Sequence, residues 1–264
     1  MTSRPRLIAT DLDRTLLDAQ GRVSPRTRKA LTAVEAAGIG VVFVTARPPR
    51  WIAPLVPDVD GRGLVVCANG ALALDIATDE VVLSRPLSAD AVLELAARLR
   101  SVLPDLHFGV ESMAGLAVES SFVPAQPFPE PPRVGELADI LDPAPLKLLA
   151  RDAAHTSDEL LAIATPVCRG LGQPSHSGAE GLLEISSDGT SKASALAWVA
   201  DRRGIEAADV WAFGDSPNDL PMLAWAGRSY AVANAHPSVL AQATHRCGAN
   251  TEHGVAEVLE TLTR

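Results

Sequence analysis

The chain has 264 residues, with 23 Lys and Arg against 32 Asp and Glu, for a formal net charge of −9. That balance offers nucleic acid or an anionic membrane nothing to hold by charge. It has no apolar run near the ~18 residues of a membrane span and no apolar secretory leader, and Cys67, Cys168 and Cys247 are scattered, so it reads as a cytoplasmic protein of one or two domains with reduced thiols.

The first apolar run, Leu7 to Thr10, is short and bounded by polar residues, as in a fully buried strand of a parallel sheet. It runs into Asp11-Leu12-Asp13, whose two carboxylates emerge on one face of the strand tip, since strand side chains alternate. Two carboxylates that close repel unless a cation sits between them. Ser24-Pro25 supplies a helix cap and first-turn proline, and the helix passes Leu31 and Val34 to a stop at Gly38. Gly40–Val44 is a second buried strand, ending in Thr45-Ala46-Arg47-Pro48, and Leu64–Cys67 a third, ending in Ala68-Asn69-Gly70. This is the grammar of a parallel sheet. Ala71–Leu74 and Val81–Leu83 read as a hairpin leading away from it.

Residues 84–187 differ in character and read as an α+β domain inserted into a core formed by 1–83 and 188–264. Val92, Leu95, Ala96 and Leu99 predict a helix, Leu106–Val110, Leu116–Val118 and Leu146–Ala150 predict strands, and a proline-rich loop runs from Pro124 through Pro132. Thr156 to Glu159 caps a further helix, and Leu182–Ile185 closes the insert. Ser191-Lys192 then opens a helix that stops at Gly204, Val210–Phe213 is a strand ending in Gly214-Asp215-Ser216-Pro217-Asn218-Asp219, and Tyr230–Ala233 ends in Asn234. Val255, Val258, Leu259 and Leu262 mark the last helix. The six histidines show no ligand spacing and read as surface or helix-end residues.

Apolar runs thus end repeatedly in polar clusters: Asp11 and Asp13, Thr45, Asn69, then Asp215, Asn218 and Asp219. In a parallel sheet these ends share one edge. Hard oxygen ligands suit Mg2+, and Lys192 adds a cation at a helix start whose N–H groups already favour an anion.

This ordered set resembles the haloacid dehalogenase superfamily of phosphatases, and more narrowly its Cof-type branch, with a large α+β cap inserted between the second and third motifs. The motifs that carry the resemblance are Asp11-Leu12-Asp13-Arg14-Thr15-Leu16, Thr45 in Thr45-Ala46-Arg47-Pro48, Lys192, and Gly214-Asp215-Ser216-Pro217-Asn218-Asp219-Leu220-Pro221-Met222, with Asn69-Gly70-Ala71, Ala233-Asn234-Ala235 and Gly254-Val255 in support. It implies a Rossmann-like α/β core with a mostly parallel sheet, and a Mg2+-dependent phosphatase of small phosphorylated metabolites such as sugar phosphates. Asp11 is then the nucleophile that forms an aspartyl-phosphate, Asp13 the general acid and base, and Thr45 and Lys192 the groups that steady the phosphoryl charge. Mg2+ would rest on Asp11, the Asp13 carbonyl and Asp215, supported by Asn218 and Asp219. Arg14, Arg47, Asn69 and Gly70 are candidate substrate contacts. Arg14 and Ala46 stand where the family pattern has glycine. Other activities compatible with the motifs are a phosphomannomutase-like phosphoryl transfer, a mannosyl-3-phosphoglycerate or sucrose phosphate phosphatase, and a non-catalytic binding module.

Overall fold

A computed structural model describes residues 4–59, 61, 63–123 and 130–263. In chain order the first stretch holds β1 (Leu7–Thr10), α1 (Pro25–Ala36), β2 (Gly40–Val44), β3 (Leu64–Cys67), β4 (Leu72–Asp75) and β5 (Glu80–Ser84). The middle stretch holds α2 (Ala89–Val102), β6 (His107–Ser112), β7 (Gly115–Val118), β8 (Arg133–Val134), α3 (Leu137–Ile140), β9 (Lys147–Arg151), α4 (Ser157–Cys168), β10 (Gly172–Ser175) and β11 (Leu182–Ser187). The last stretch holds α5 (Lys192–Arg202), β12 (Val210–Gly214), α6 (Leu220–Trp225), β13 (Arg228–Val232), α7 (Pro237–Gln242), β14 (His245–Cys247) and α8 (Gly254–Glu260).

The chain divides into two units, one of Met1–Arg47, Trp51–Leu83 and Ser191–Arg264, the other of Pro48–Arg50 and Ser84–Thr190. The first is built on an eight-stranded sheet in the order β14-β13-β12-β1-β2-β3-β4-β5. The β1–β2, β2–β3, β1–β12, β12–β13 and β13–β14 pairs are all parallel. Leu7, Ile8, Ala9, Val42, Val44, Val66, Ala212 and Phe213 are fully buried, as expected of strands covered on both faces. The order reverses at β1, with β2 on one side and β12 on the other, so a crevice opens at the carboxyl ends of these strands. α1 begins where Ser24 Oγ accepts from Thr27 N with Pro25 in the first turn, and Gly38, at φ +80°, lies just past its end.

The hairpin departs from its expectation: it stays in this sheet. Asn69 and Gly70 both take positive φ, 56° and 102°, which reverses the chain so tightly that β4 pairs antiparallel with β3.

The second unit is a six-stranded sheet in the order β10-β11-β9-β6-β7-β8, antiparallel except for β7–β8. Val92, Leu95 and Leu99 of α2 and Leu160 and Ala164 of α4 pack with Phe108, Val110, Leu148, Ala150, Leu183 and Ile185. β10 was not expected: Gly172-Gln173-Pro174-Ser175 has little strand propensity, and it forms at the sheet edge, where proline is tolerated. His176, expected at the surface or a helix end, is instead buried just past β10, and its Nε2 lies 3.0 Å from Asp158 Oδ1. A buried ion pair joins Lys147 Nζ to Glu184 Oε2 at 2.6 Å. Of the proline-rich loop, residues 124–129 lie outside the described residues. Cys67 and Cys168 are buried and Cys247 partly so, all as free thiols. Among the described residues no helix is long and apolar enough to cross a membrane.

Candidate active site

β1 ends at Thr10, in register with Phe213 of β12, and Asp11 N donates to Phe213 O at 3.0 Å. This stitch sets Asp11 beside the turn after β12. The carboxylates of Asp11, Asp215 and Asp219 come together there, one oxygen of each lying within 4.8 Å of the others, and all three residues are buried. Lys192, the first residue of α5 and 1 % exposed, donates from Nζ to Asp11 Oδ1 and to Asp219 Oδ1, each at 2.6 Å. Burial alone would lower the ammonium's pKa, but Asp11 and Asp219 outweigh it and hold it above its usual value.

Two glycines make that approach possible. A Cβ on Gly70 would meet Ser191 O at 2.3 Å, so only glycine lets the start of α5 seat against this turn and deliver Lys192. A Cβ on Gly214 would meet the Asp219 side chain at 2.6 Å. Asp219 is saturated: beyond Lys192, its Oδ2 accepts from the backbone N–H groups of Asp215 and Ser216, each at 3.0 Å. It shapes the turn that aims Asp215.

Asp215 accepts from Thr15 Oγ1 at 3.1 Å on Oδ1 and from Ser216 Oγ at 2.9 Å on Oδ2. Arg14 Nε stands 3.6 Å from the same Oδ2. Burial, with Asp219 adding to it, pushes the Asp215 carboxyl up to about 6. Burial also pushes the Asp11 carboxyl well above its usual range, opposed by Lys192 and reinforced by Asp219 and Asp215. Among the described residues the three carboxylates face two cations, Lys192 and Arg14, leaving one negative charge. Asp11 Oδ2 meets no hydrogen-bond donor among the described residues, and the buried Asn218 Oδ1 has no partner. An all-oxygen set with surplus negative charge and unused acceptors fits a hard divalent cation.

Asp13, close in sequence, stands apart. Its side chain is 52 % exposed and receives a bidentate grip from Arg47, with Nε and Nη2 donating at 2.7 and 2.6 Å. Thr45, buried at the end of β2, accepts on Oγ1 from Arg47 N at 3.1 Å, while its carbonyl accepts from Asn69 N. Asn69, buried and left-handed at φ 56°, accepts on Oδ1 from Asn218 Nδ2 at 2.9 Å. Asn69 and Gly70 therefore act here as braces between neighbouring strand ends. Arg14 lies at φ 59°, a region open to glycine and strained for other residues. Thr15 and Ser216 had no role assigned from sequence although both lie inside its motifs, because a hydroxyl has no spacing signature of its own. Asn234 Nδ2 donates to Arg14 O at 2.8 Å, a role its place after β13 could have suggested.

A family model for haloacid dehalogenase-like hydrolases matches residues 8–259. The Bacillus subtilis protein YxeH, whose name assigns it to the phosphatases, is 31 % identical over 269 residues, covering 97 % of this chain and 98 % of its own. The phosphoglycolate phosphatase of Methanothermobacter thermautotrophicus is 30 % identical over 256 residues, covering 96 % and 97 %. A crystal structure from Streptococcus mutans superposes with a TM-score of 0.85 at 22 % identity, covering 97 % of this chain and 98 % of that one.

Proposed function

The chain belongs to the haloacid dehalogenase-like hydrolases, and from that premise we propose that this phosphatase hydrolyses small phosphomonoesters, sugar phosphates or similar metabolites, with Mg2+ and through an aspartyl-phosphate. The observation that carries the reading is the ammonium of Lys192 held at 2.6 Å between Asp11 and Asp219 at the head of β1. A structural ion pair needs one partner; this one is buried beside a third carboxylate at a crevice of the sheet.

In this reading Asp11 and Asp215, with the Asp13 carbonyl, hold Mg2+. Bound there, it would supply charge that favours the carboxylate form of Asp11 and offsets the negative charge of the phosphoryl group. Asp11 attacks phosphorus in line through one carboxylate oxygen while its carboxylate stays anchored on Lys192. Lys192 and the Thr45 hydroxyl stabilise the oxygens of the transferring group. Asp13 passes a proton to the leaving oxygen and then takes one from the attacking water. Both Asp13 oxygens accept from Arg47, so the guanidinium must turn aside before Asp13 can reach the leaving oxygen, and an incoming phosphate is an anion able to draw it away.

A panel of phosphorylated metabolites, each assayed with Mg2+ and with EDTA, tests the proposal. Turnover of small phosphomonoesters that requires Mg2+ and disappears in Asp215→Ala supports it. Full turnover in EDTA refutes the metal site.

A further inference from the structure

We propose that Arg14 is a resident counter-ion of Asp215, which an incoming divalent cation must displace, so that this side chain sets how tightly the enzyme holds its metal. The proposal rests on the reading of Asp215 as a metal ligand. It starts from geometry. The guanidinium Nε is 3.6 Å from Asp215 Oδ2, and Nη2 donates to Asn234 O at 3.2 Å. Asn234 closes the loop by donating from Nδ2 to Arg14 O, and its Oδ1 accepts from Asn250 N at 2.9 Å. Asn250 Nδ2 in turn donates to Leu17 O at 2.8 Å. Two asparagines thus brace the turn at Arg14 and Leu17, and the guanidinium is aimed rather than merely near.

The aim has an electrostatic consequence. Lys192 is shared between Asp11 and Asp219, and the other donors to Asp215, the Thr15 and Ser216 hydroxyls, are neutral. Arg14 is therefore the cation paired with Asp215 among the described residues. It reduces the net charge of the cluster from −2 to −1, and a divalent cation binds a less negative site more weakly. The side chain is 57 % exposed, so it can swing into solvent when a metal takes its place. Its backbone sits at φ 59°, where glycine would be at ease, and glycine would leave Asp215 without this partner.

The test measures metal binding to the intact protein without substrate, by calorimetry with Mg2+ and by electron paramagnetic resonance with Mn2+. Arg14→Gln keeps a side chain at the strained position and removes the charge, whereas Arg14→Gly removes both. Both should bind either ion about tenfold more tightly than the parent, equivalent to about 1.4 kcal/mol, and Arg14→Lys should stay within about threefold of it. Unchanged or weaker binding in Arg14→Gln overturns the proposal, and so does tightening confined to Arg14→Gly, which would trace to relief of backbone strain. Asp215→Asn separates the layers: it should lose binding, and if it binds as the parent does, the metal site itself is misassigned.

Discussion

Replacing Lys192 by methionine keeps the length of the side chain and removes the ammonium that sits 2.6 Å from both Asp11 and Asp219. At an effective dielectric of ~20 each contact is worth roughly 6 kcal/mol of gross attraction, most of it offset by desolvation. Stripping one partner from a buried pair typically costs ~3–5 kcal/mol, because the remaining charge is left uncompensated. Here two carboxylates are left, 7 % and 0 % exposed, and they repel. One of them must take up a proton to stay buried. At pH 8 in EDTA the variant should lose ~3–5 kcal/mol, a large share of the 5–15 kcal/mol typical of a folded domain. At pH 5 a proton is easily supplied and the loss should shrink to below about 2 kcal/mol. Urea denaturation of parent and variant at the two pH values measures this. Adding Asp219→Asn to Lys192→Met removes one of the facing charges and should recover part of the loss, a coupling visible in a double-mutant cycle. A loss under about 1 kcal/mol at pH 8, with no recovery in the double variant, would mean that the ammonium does not hold the carboxylates together.

Asp215 gives a pH signature in the metal-free protein. Its carboxyl, pushed up to about 6 by burial and Asp219, binds a proton more tightly folded than unfolded. That favours the folded state fully below about pH 4, the unfolded value, and the advantage is lost as pH rises through about 6. In EDTA the melting temperature of the parent should fall relative to Asp215→Asn between pH 4 and 7, by the equivalent of about 2–3 kcal/mol; parallel pH profiles would contradict the assignment. In the inserted unit, Lys147→Ala leaves Glu184 buried without its 2.6 Å partner and should destabilise by ~3–5 kcal/mol in chemical denaturation. A change below about 1 kcal/mol would show that water reaches Glu184 and that the pair is not buried in solution.

The core was legible because buried parallel strands are written as short apolar runs, and the polar residues that end each run must share one edge of the sheet. Leu7–Thr10, Gly40–Val44 and Leu64–Cys67 form strands over the residues expected, and Asp11, Asp215, Asp219 and Lys192 converge. Direction was less legible. Whether β4 turns back along β3 depends on positive φ at Asn69, which a sequence permits without requiring. Short elements with ambiguous composition escaped as well, β10 and the two-residue β8 among them, because neighbouring strands and not local propensity make them. Partners of charged groups escaped for a related reason. Arg14 read as a candidate substrate contact and stands against Asp215, while Lys147, inside the strand expected at Leu146–Ala150, is buried on Glu184. Pattern places a residue on an element, but packing chooses what its side chain touches.

The central claim is that Asp11 is the nucleophile and Asp13 the proton carrier, and trapping the phosphoenzyme tests it most directly. Asp11 is buried with one oxygen on Lys192, whereas Asp13 is exposed and held by Arg47, so the two carboxylates of one motif face different chemistry. An alkoxide leaves poorly without a proton, but p-nitrophenolate departs unaided. In Asp13→Asn with Mg2+, p-nitrophenyl phosphate should give a burst of about one p-nitrophenolate per active site. The phosphoenzyme should then accumulate, because its hydrolysis lacks a base worth ~100- to 10,000-fold. A sugar phosphate should label the same variant barely at all, and Asp11→Asn should form no phosphoenzyme with either substrate. Intact-mass detection after rapid quench reads all of these. A phosphoenzyme in Asp11→Asn together with no burst in Asp13→Asn would reverse the two roles and contradict the mechanism.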